Sequence, residues 1–287
     1  AVIAGLAQTA PPSGLRFIWH TGFCCSTLLA KALDSPERNL SLCEQKLLVD
    51  AADAKRAGAF AAHPDLAKLA DTAFALLGRG FERGEAVTIK PAPAANHWLP
   101  EANARPGARH LFLFSDCESF VISVAKLGVQ GASYARAMLG VLLRDGIAPD
   151  WTDERLRGLS AHRIAALVWH LQIAQFRTQG RDGRSLDCDA LLEYPGATLA
   201  AVDAFFGLDL GKPRIAEIVA GPLFRRNAKN PGEAFDARRR NQERAAMRQS
   251  LGSQLQDAVG WSYEAFGETP RDYPLFDPLF PLEKAYA

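Results

Sequence analysis

The stretch from Leu15 to Leu33 constrains the fold most. Leu15-Arg16-Phe17-Ile18-Trp19 is a short β-rich run. It enters the loop His20-Thr21-Gly22-Phe23-Cys24-Cys25. Ser26 and Thr27 then open a segment in which Leu28, Leu29, Ala32 and Leu33 share one helical stripe. The unit reads as strand, tight loop, helix, and Asp34-Ser35-Pro36 stops the helix. Further β-rich runs occupy 39–43, 86–90 and 110–114, with a fifth at 184–188, and alanine-rich stretches of helical composition fill 46–57 and 62–77. Strands that alternate with helices imply a parallel α/β sheet of about five strands. Leu111-Phe112-Leu113-Phe114 is apolar without alternation, which fits a strand covered on both faces.

Past the fourth strand the chain turns helical, at 119–126, 134–143, 160–179 and 197–206, with Gly207 placed as a C-cap. An arginine-rich stretch, 235–266, is expected to be helical with a break near Gly252 or Gly260. One α/β domain over 1–287 is expected. Residues 1–14 would be a loose arm, about 130–180 a helical insertion, and 270–287, with four prolines, an extended tail.

Composition narrows the function. At 48% hydrophobic and 23% charged, the chain is neither disordered nor a disulfide miniature. A net charge of +1 supplies no global field for nucleic acid or an anionic membrane. No apolar run reaches the roughly 18–20 residues of a membrane span, and residues 1–14 lack the pattern of a signal peptide. Five cysteines without C-x-x-C spacing read as reduced thiols, so a cytoplasmic protein is expected. Oligomeric state, including a homo-oligomer, stays open.

The loop after the first strand carries the chemistry. A strand-to-helix turn aims the free N–H groups of the helix at one point, a ready anion site. Thr21, Gly22, Ser26 and Thr27 supply hydroxyls and a flexible backbone there; the plainer reading has Ser26 or Thr27 only capping the helix. The loop is not a Walker A motif, because no Gly-Lys pair precedes Ser26 and Cys25 takes the place of the second glycine. Asp116, ending an apolar strand, mimics a Walker B acid.

Phe23-Cys24-Cys25-Ser26-Thr27-Leu28-Leu29 resembles the 5′-phosphosulfate loop, R-S-G-[ST]-T-L-L, of the P-loop sulfotransferase superfamily. Three later places agree in order. Phe114 to Ser123 resembles the R-D-P-R-D-x-x-x-S segment, with Ser123 where the family serine meets the 3′-phosphate. The stretch 186–192, then Pro195, Ala197-Thr198-Leu199 and Phe205-Phe206-Gly207-Leu208, resembles the E-D-L … P … T-L … F-L-G-L stretch. Arg226-Asn227-Ala228-Lys229, followed by Phe235, resembles the basic loop that closes over the cofactor. The resemblance covers about residues 15–250. It implies a P-loop-type three-layer fold and transfer of a sulfuryl group from 3′-phosphoadenosine 5′-phosphosulfate (PAPS) to a hydroxyl or amine of a small-molecule acceptor, with no metal.

Three positions depart from that pattern. Phe23 replaces the loop's basic residue, Cys25 its glycine, and Ser115 the arginine of the 3′-phosphate site. Each charge-assisted bond to phosphate is worth about 1.5–3 kcal/mol, so two losses weaken binding by at least about two decades unless other cations compensate. Lys90, at a strand end, is one candidate, since strand C-terminal ends line the ligand crevice of an open α/β sheet. Residues 225–248 hold eight basic against three acidic residues. Arg226 and Lys229 are expected to reach the anion, and Arg238 to Arg240 to face solvent or an acidic partner. The plainer reading of that run is a solvated helix face.

Sulfuryl transfer needs a base for the acceptor proton and cations for the leaving phosphate. Glu44, directly after the second strand, is the nominated base, with His20 as runner-up and Lys90 as catalytic cation; a helix N-terminal acid is the plainer role for Glu44. Two rival classes remain: a non-catalytic nucleotide- or anion-binding protein, and a kinase-like phosphoryl transferase that would need Mg²⁺ on Asp116. The vicinal Cys24-Cys25 pair admits a thiol role or simple packing beneath the turn. The six histidines show no metal-binding spacing.

Overall fold

The computed structural model describes residues 14–63, 69–82, 84–148, 150–180, 182–226, 228, 232, 237–269 and 277–280. Among these residues, five strands form one parallel sheet: β1 (Arg16–His20), β2 (Asn39–Cys43), β3 (Ala86–Lys90), β4 (Arg109–Phe114) and β5 (Arg184–Asp187). Their order is β2-β3-β1-β4-β5. The chain leaves β1 for β2 on one side and later crosses β1 to reach β4 on the other. The crevice beyond the C-terminal end of β1 is therefore a topological switch point, where open α/β sheets bind ligands.

Period-2 alternation sorts the two faces. Phe17, Trp19, Val87, Ile89, Phe112 and Phe114 point to one side. There they meet α2 (Lys46–Arg56), α4 (Leu69–Leu77), α6 (Cys117–Lys126), α7 (Gly128–Arg144), α9 (Ala161–Gln179) and α14 (Ser253–Phe266). Ile18, Leu111, Leu113 and Leu186 point to the other side, onto α1 (Ser26–Leu33), α10 (Cys188–Glu193), α11 (Pro195–Phe206) and α12 (Gly211–Ala220). Both faces are covered, which makes the expected three-layer α/β fold. Shorter helices α3 (Ala59–Ala62), α5 (Leu99–Asn103) and α8 (Asp153–Leu156) complete the connections.

Several elements differ from their sequence reading, each for a local reason. In the stretch 62–77, Ala62 ends α3, His63 is not helical, and the helix resumes at Leu69 among the described residues. Helix α7 begins six residues before Tyr134, through two glycines. Gly131 packs so closely on the Val124 carbonyl that a Cβ would collide there, so the α6–α7 corner selects glycine despite its poor helix propensity. Cys188 starts a helix instead of ending a strand, because Asp187 caps it by accepting from the Asp189 amide at 2.8 Å. The basic segment splits at Gly252 into α13 (Ala237–Leu251) and α14, with φ 52° at the break, whereas Gly260 stays helical. The expected arm (1–14) and tail (270–287) lie almost wholly outside the described residues.

Helix α13 buries no residue. Met247 and Leu251 pack half-buried against the core, and charges dock the rest: Arg240 and Arg244 pair with Asp189, Arg244 also with Asp116, Arg248 with Glu118, and Glu243 with Lys126. Spacing of four residues places Arg240, Arg244 and Arg248 on one face.

Candidate functional site

The parallel register brings strand ends together. Cys43 sits opposite Lys90, and His20 opposite Leu113. The loop between β1 and α1 then takes left-handed backbone at Gly22 (φ 83°), Phe23 (φ 53°) and Cys25 (φ 58°). Left-handed non-glycine residues cost of order 1–3 kcal/mol each and cluster where a site demands them. Gly22 is doubly required, since a Cβ there would also sit 2.9 Å from the Tyr134 hydroxyl. The capping position of α1 falls on Cys25, whose side chain caps nothing, and not on Ser26 or Thr27. The α1 N-terminus, with its partial positive charge, therefore opens toward the loop without a capping side chain.

A cavity of about 510 Å³ lies above this loop. His20, Gly22, Phe23, Cys24, Cys25, Ser26, Thr27, Glu44, Ser123 and Arg226 all line it, so most of the site residues expected from sequence meet at one place. Three do not reach the surface of the cavity. Thr21 is fully buried; Ser115 is buried with its hydroxyl unpartnered among the described residues; Lys90 lies beneath Glu44. Lys229 lies outside the described residues, as do Asn227 and Phe235.

Glu44, itself left-handed at φ 53°, projects its carboxylate from the end of β2. Lys90 is 0% exposed, and its Nζ stands 2.5 Å from Glu44 Oε1 and 3.3 Å from His20 Nε2. His20 Nδ1 accepts from the Gly22 amide at 3.1 Å, and Nε2 lies 3.0 Å from the Pro91 carbonyl. That pattern assigns the proton to Nε2 and occupies the lone pair a base would use. His20 therefore shapes the loop, and Glu44 is the better-placed proton acceptor.

Phe23 does not mimic the basic residue it replaces. Its ring packs edge-on against Tyr134 (5.2 Å) and Phe120 (5.6 Å), and with Pro93, Ile122 and Leu127 it forms an apolar wall. Four cations also line the cavity: Lys126, Arg226, Arg240 and Arg244. Of the Arg238–Arg240 run, expected to face solvent or an acidic partner, Arg240 instead lines the cavity and pairs with Asp189 of the same chain. Arg238 and Arg239 are exposed, but the helical turn carries Arg240 inward with Arg244. Lys126, Tyr134, Glu243 and Arg244 were missed as site residues. Only the four-residue spacing of Arg240 and Arg244 hinted at a shared face.

Asp116 caps α6, accepting from the Ser119 amide at 2.7 Å and hydroxyl at 2.8 Å, and Arg244 stands 3.0 Å away. Ser123 donates to the Ser119 carbonyl at 2.8 Å while lining the cavity. The vicinal cysteines diverge. Cys24 turns inward, donating to the Leu113 carbonyl, and burial pushes its thiol up to about 11. Cys25 faces the cavity, and a hydrogen bond from Cys188 holds its thiol below the ordinary range.

No family model matches this chain, and no curated protein sequence matches it. Among the described residues, no helix is long and apolar enough to cross a membrane.

Proposed function

We propose that the chain is a sulfuryl transferase that uses PAPS as donor and a hydroxyl or amine of a small molecule as acceptor. One observation carries this reading. A left-handed strand-end loop opens an uncapped helix N-terminus into a cavity that also holds four cations and the Glu44 carboxylate. In this reading the α1 N-terminus with Ser26 and Thr27 receives the phosphosulfate. Arg226, Arg240, Arg244 and Lys126 supply the charge that Phe23 and Ser115 lack. Glu44, oriented by Lys90, takes the acceptor proton as the acceptor oxygen or nitrogen bonds to sulfur and the bond to the phosphate oxygen breaks. The apolar wall of Phe23, Pro93, Ile122, Leu127 and Tyr134 receives the body of the acceptor.

A second reading rests on the ion pairs. Arg240 and Arg244 are already held by Asp189 and Asp116, which suits a non-catalytic anion-binding protein with a weaker grip. The kinase-like reading is the least supported, because the Asp116 carboxylate is taken up by Ser119 and Arg244.

Calorimetric titration with 3′-phosphoadenosine 5′-phosphate, the desulfated product, tests the proposal beside ATP with Mg²⁺. The expected result is low-micromolar binding of the product, weakened about 10–100-fold by Arg226→Ala through loss of one charge-assisted bond. Radiolabelled sulfuryl transfer from PAPS to a panel of phenols, alcohols and amines then separates enzyme from binder. No product binding at millimolar concentration overturns the donor assignment, and preferential ATP–Mg²⁺ binding revives the phosphoryl-transfer reading.

A further inference from the structure

We propose that the outer edge of β5 is a peptide-docking site for an extended Asp-Pro-Leu-Phe segment, filled here by the chain's own residues 277–280, and that the same segment of a second copy can take its place. Among the described residues β5 is the last named strand on its side of the sheet, with β4 on its inner flank. An open strand edge presents N–H and C=O groups that invite another strand. Here Ser185 faces Pro278 in parallel register. The Ser185 amide donates to the Asp277 carbonyl at 3.4 Å, and the Leu279 amide donates to the Ser185 carbonyl at 2.8 Å.

The segment is recognised residue by residue. Arg184 Nε reaches the Asp277 carboxylate at 3.3 Å and donates to the Asp277 carbonyl at 2.9 Å, and its Nη2 donates to the Pro278 carbonyl at 3.0 Å. Pro278 holds the register position that needs no donor, because its neighbours on either side make both bonds to Ser185. An N–H at that position would point away from β5. Proline therefore fits the ladder and stops a further strand from adding. Leu279 and Phe280 pack against the core on the α1 side of the sheet, and the Phe280 ring lies 5.8 Å from that of Tyr194. Main-chain bonds along a sheet edge, with side-chain contacts for selectivity, are how extended peptides are bound. None of these residues lines the cavity, so the inference stands apart from the donor and acceptor assignments.

The sequence writes the motif twice, as Pro274-Leu275-Phe276 and Pro278-Leu279-Phe280, so each chain carries two copies for one β5 edge. The first copy lies outside the described residues. Exchanging an identical segment between two copies of a chain needs no new contact, since the bonds made in trans are those made in cis. Concentration sets the balance. A short linker gives an effective concentration on the order of millimolar in cis, so the wild-type chain is expected to be monomeric at about 0.1 mM.

The test mixes two full-length variants. Arg184→Ala with Tyr194→Ala spoils the edge and keeps the tail. Leu275→Ser, Phe276→Ser, Leu279→Ser and Phe280→Ser together spoil the tail and keep the edge. Each alone is expected to be monomeric by light scattering. Their mixture at about 0.1 mM is expected to form a 1:1 dimer, because the cis competitor is gone. A synthetic peptide with the sequence of residues 273–282, at millimolar concentration, should dissolve that dimer. A mixture that stays monomeric, a dimer that the peptide leaves intact, or a dimer of the tail variant alone overturns the proposal. If the tail variant does not fold, the wild-type chain decides. The same peptide with a photoreactive leucine in place of Leu279 is then expected to crosslink within residues 184–206, and crosslinks spread over other surfaces overturn the assignment.

Discussion

Lys90 and Glu44 are joined twice: the Lys90 ammonium lies 2.5 Å from the Glu44 carboxylate, and the Glu44 amide donates to the Lys90 carbonyl at 2.7 Å. The backbone bond extends the pairing of β2 and β3 by one residue and aims Glu44 at the cavity. The side-chain bond neutralises a lysine that has no exposed surface. Glu44→Gln is therefore expected to abolish sulfuryl transfer while leaving binding of 3′-phosphoadenosine 5′-phosphate within about 3-fold. It also strips a buried cation of its counter-charge. Breaking a fully buried pair costs about 3–5 kcal/mol, and the 41% exposure of the Glu44 side chain places this loss lower, at about 1–3 kcal/mol. Lys90→Met in the Glu44→Gln background should recover part of it, as read by urea unfolding. Equal turnover in Glu44→Gln would remove Glu44 from the chemistry.

Gly22 meets two demands at once, a positive φ and contact with Tyr134. Gly22→Ala is expected to lower stability by about 1–2 kcal/mol and to weaken product binding by distorting the loop. Adding Tyr134→Phe removes the hydroxyl that a methyl group would meet but leaves the φ strain, so recovery should be partial. Full recovery in the double variant would mean that the backbone conformation is not the constraint.

Buried histidines set the acid response. His110 Nδ1 accepts from the Trp19 indole at 3.0 Å, and burial pushes His110 down to about 4 from an ordinary 6.5. His170 is also lowered by burial. A folded value below the unfolded one means that the unfolded chain binds more protons between the two. Stability is therefore full above pH 6.5 and falls as pH drops toward 4. For His110 alone the loss between pH 7 and pH 5 is about 2 kcal/mol. His110→Asn keeps an acceptor for Trp19 and should flatten that part of the slope. An unchanged pH dependence in urea titrations of this variant would place the response elsewhere.

Helix α13 buries no residue fully and is docked by ion pairs beside the half-buried Met247 and Leu251, so its attachment should be salt-sensitive. Raising NaCl from about 0.05 M to about 1 M, where the screening length shortens from about 14 Å to about 3 Å, is expected to expose α13 to hydrogen exchange before the sheet. Trp169, fixed by its indole bond to the Ser115 carbonyl at 2.8 Å, should report no change in core fluorescence. Simultaneous loosening of α13 and core would show that the contacts of Met247 and Leu251, and not the charges, hold the helix.

Much of the architecture was legible locally. The period-2 and period-3.6 patterns between Leu15 and Leu33, and the apolar strand at 110–114, require only neighbours along the chain. The left-handed cap at Gly207 (φ 61°) follows from glycine alone. The loop at 20–27 and Glu44 were legible as site candidates because a strand end fixes where its next residues must lie. The inward turn of Arg240, the opening of a helix at Cys188 and the early start of α7 were not legible.

The sequence by itself determined the order of strands and helices, the crossovers they require, and the position of the loop at a strand's C-terminal end. Tertiary structure decided which charges stand around that loop. Arg244 reaches Asp116 across 128 positions, and Arg240 reaches Asp189 across 51. Secondary structure follows from the stereochemistry of adjacent residues, whereas these pairings depend on how two helices dock on a finished sheet.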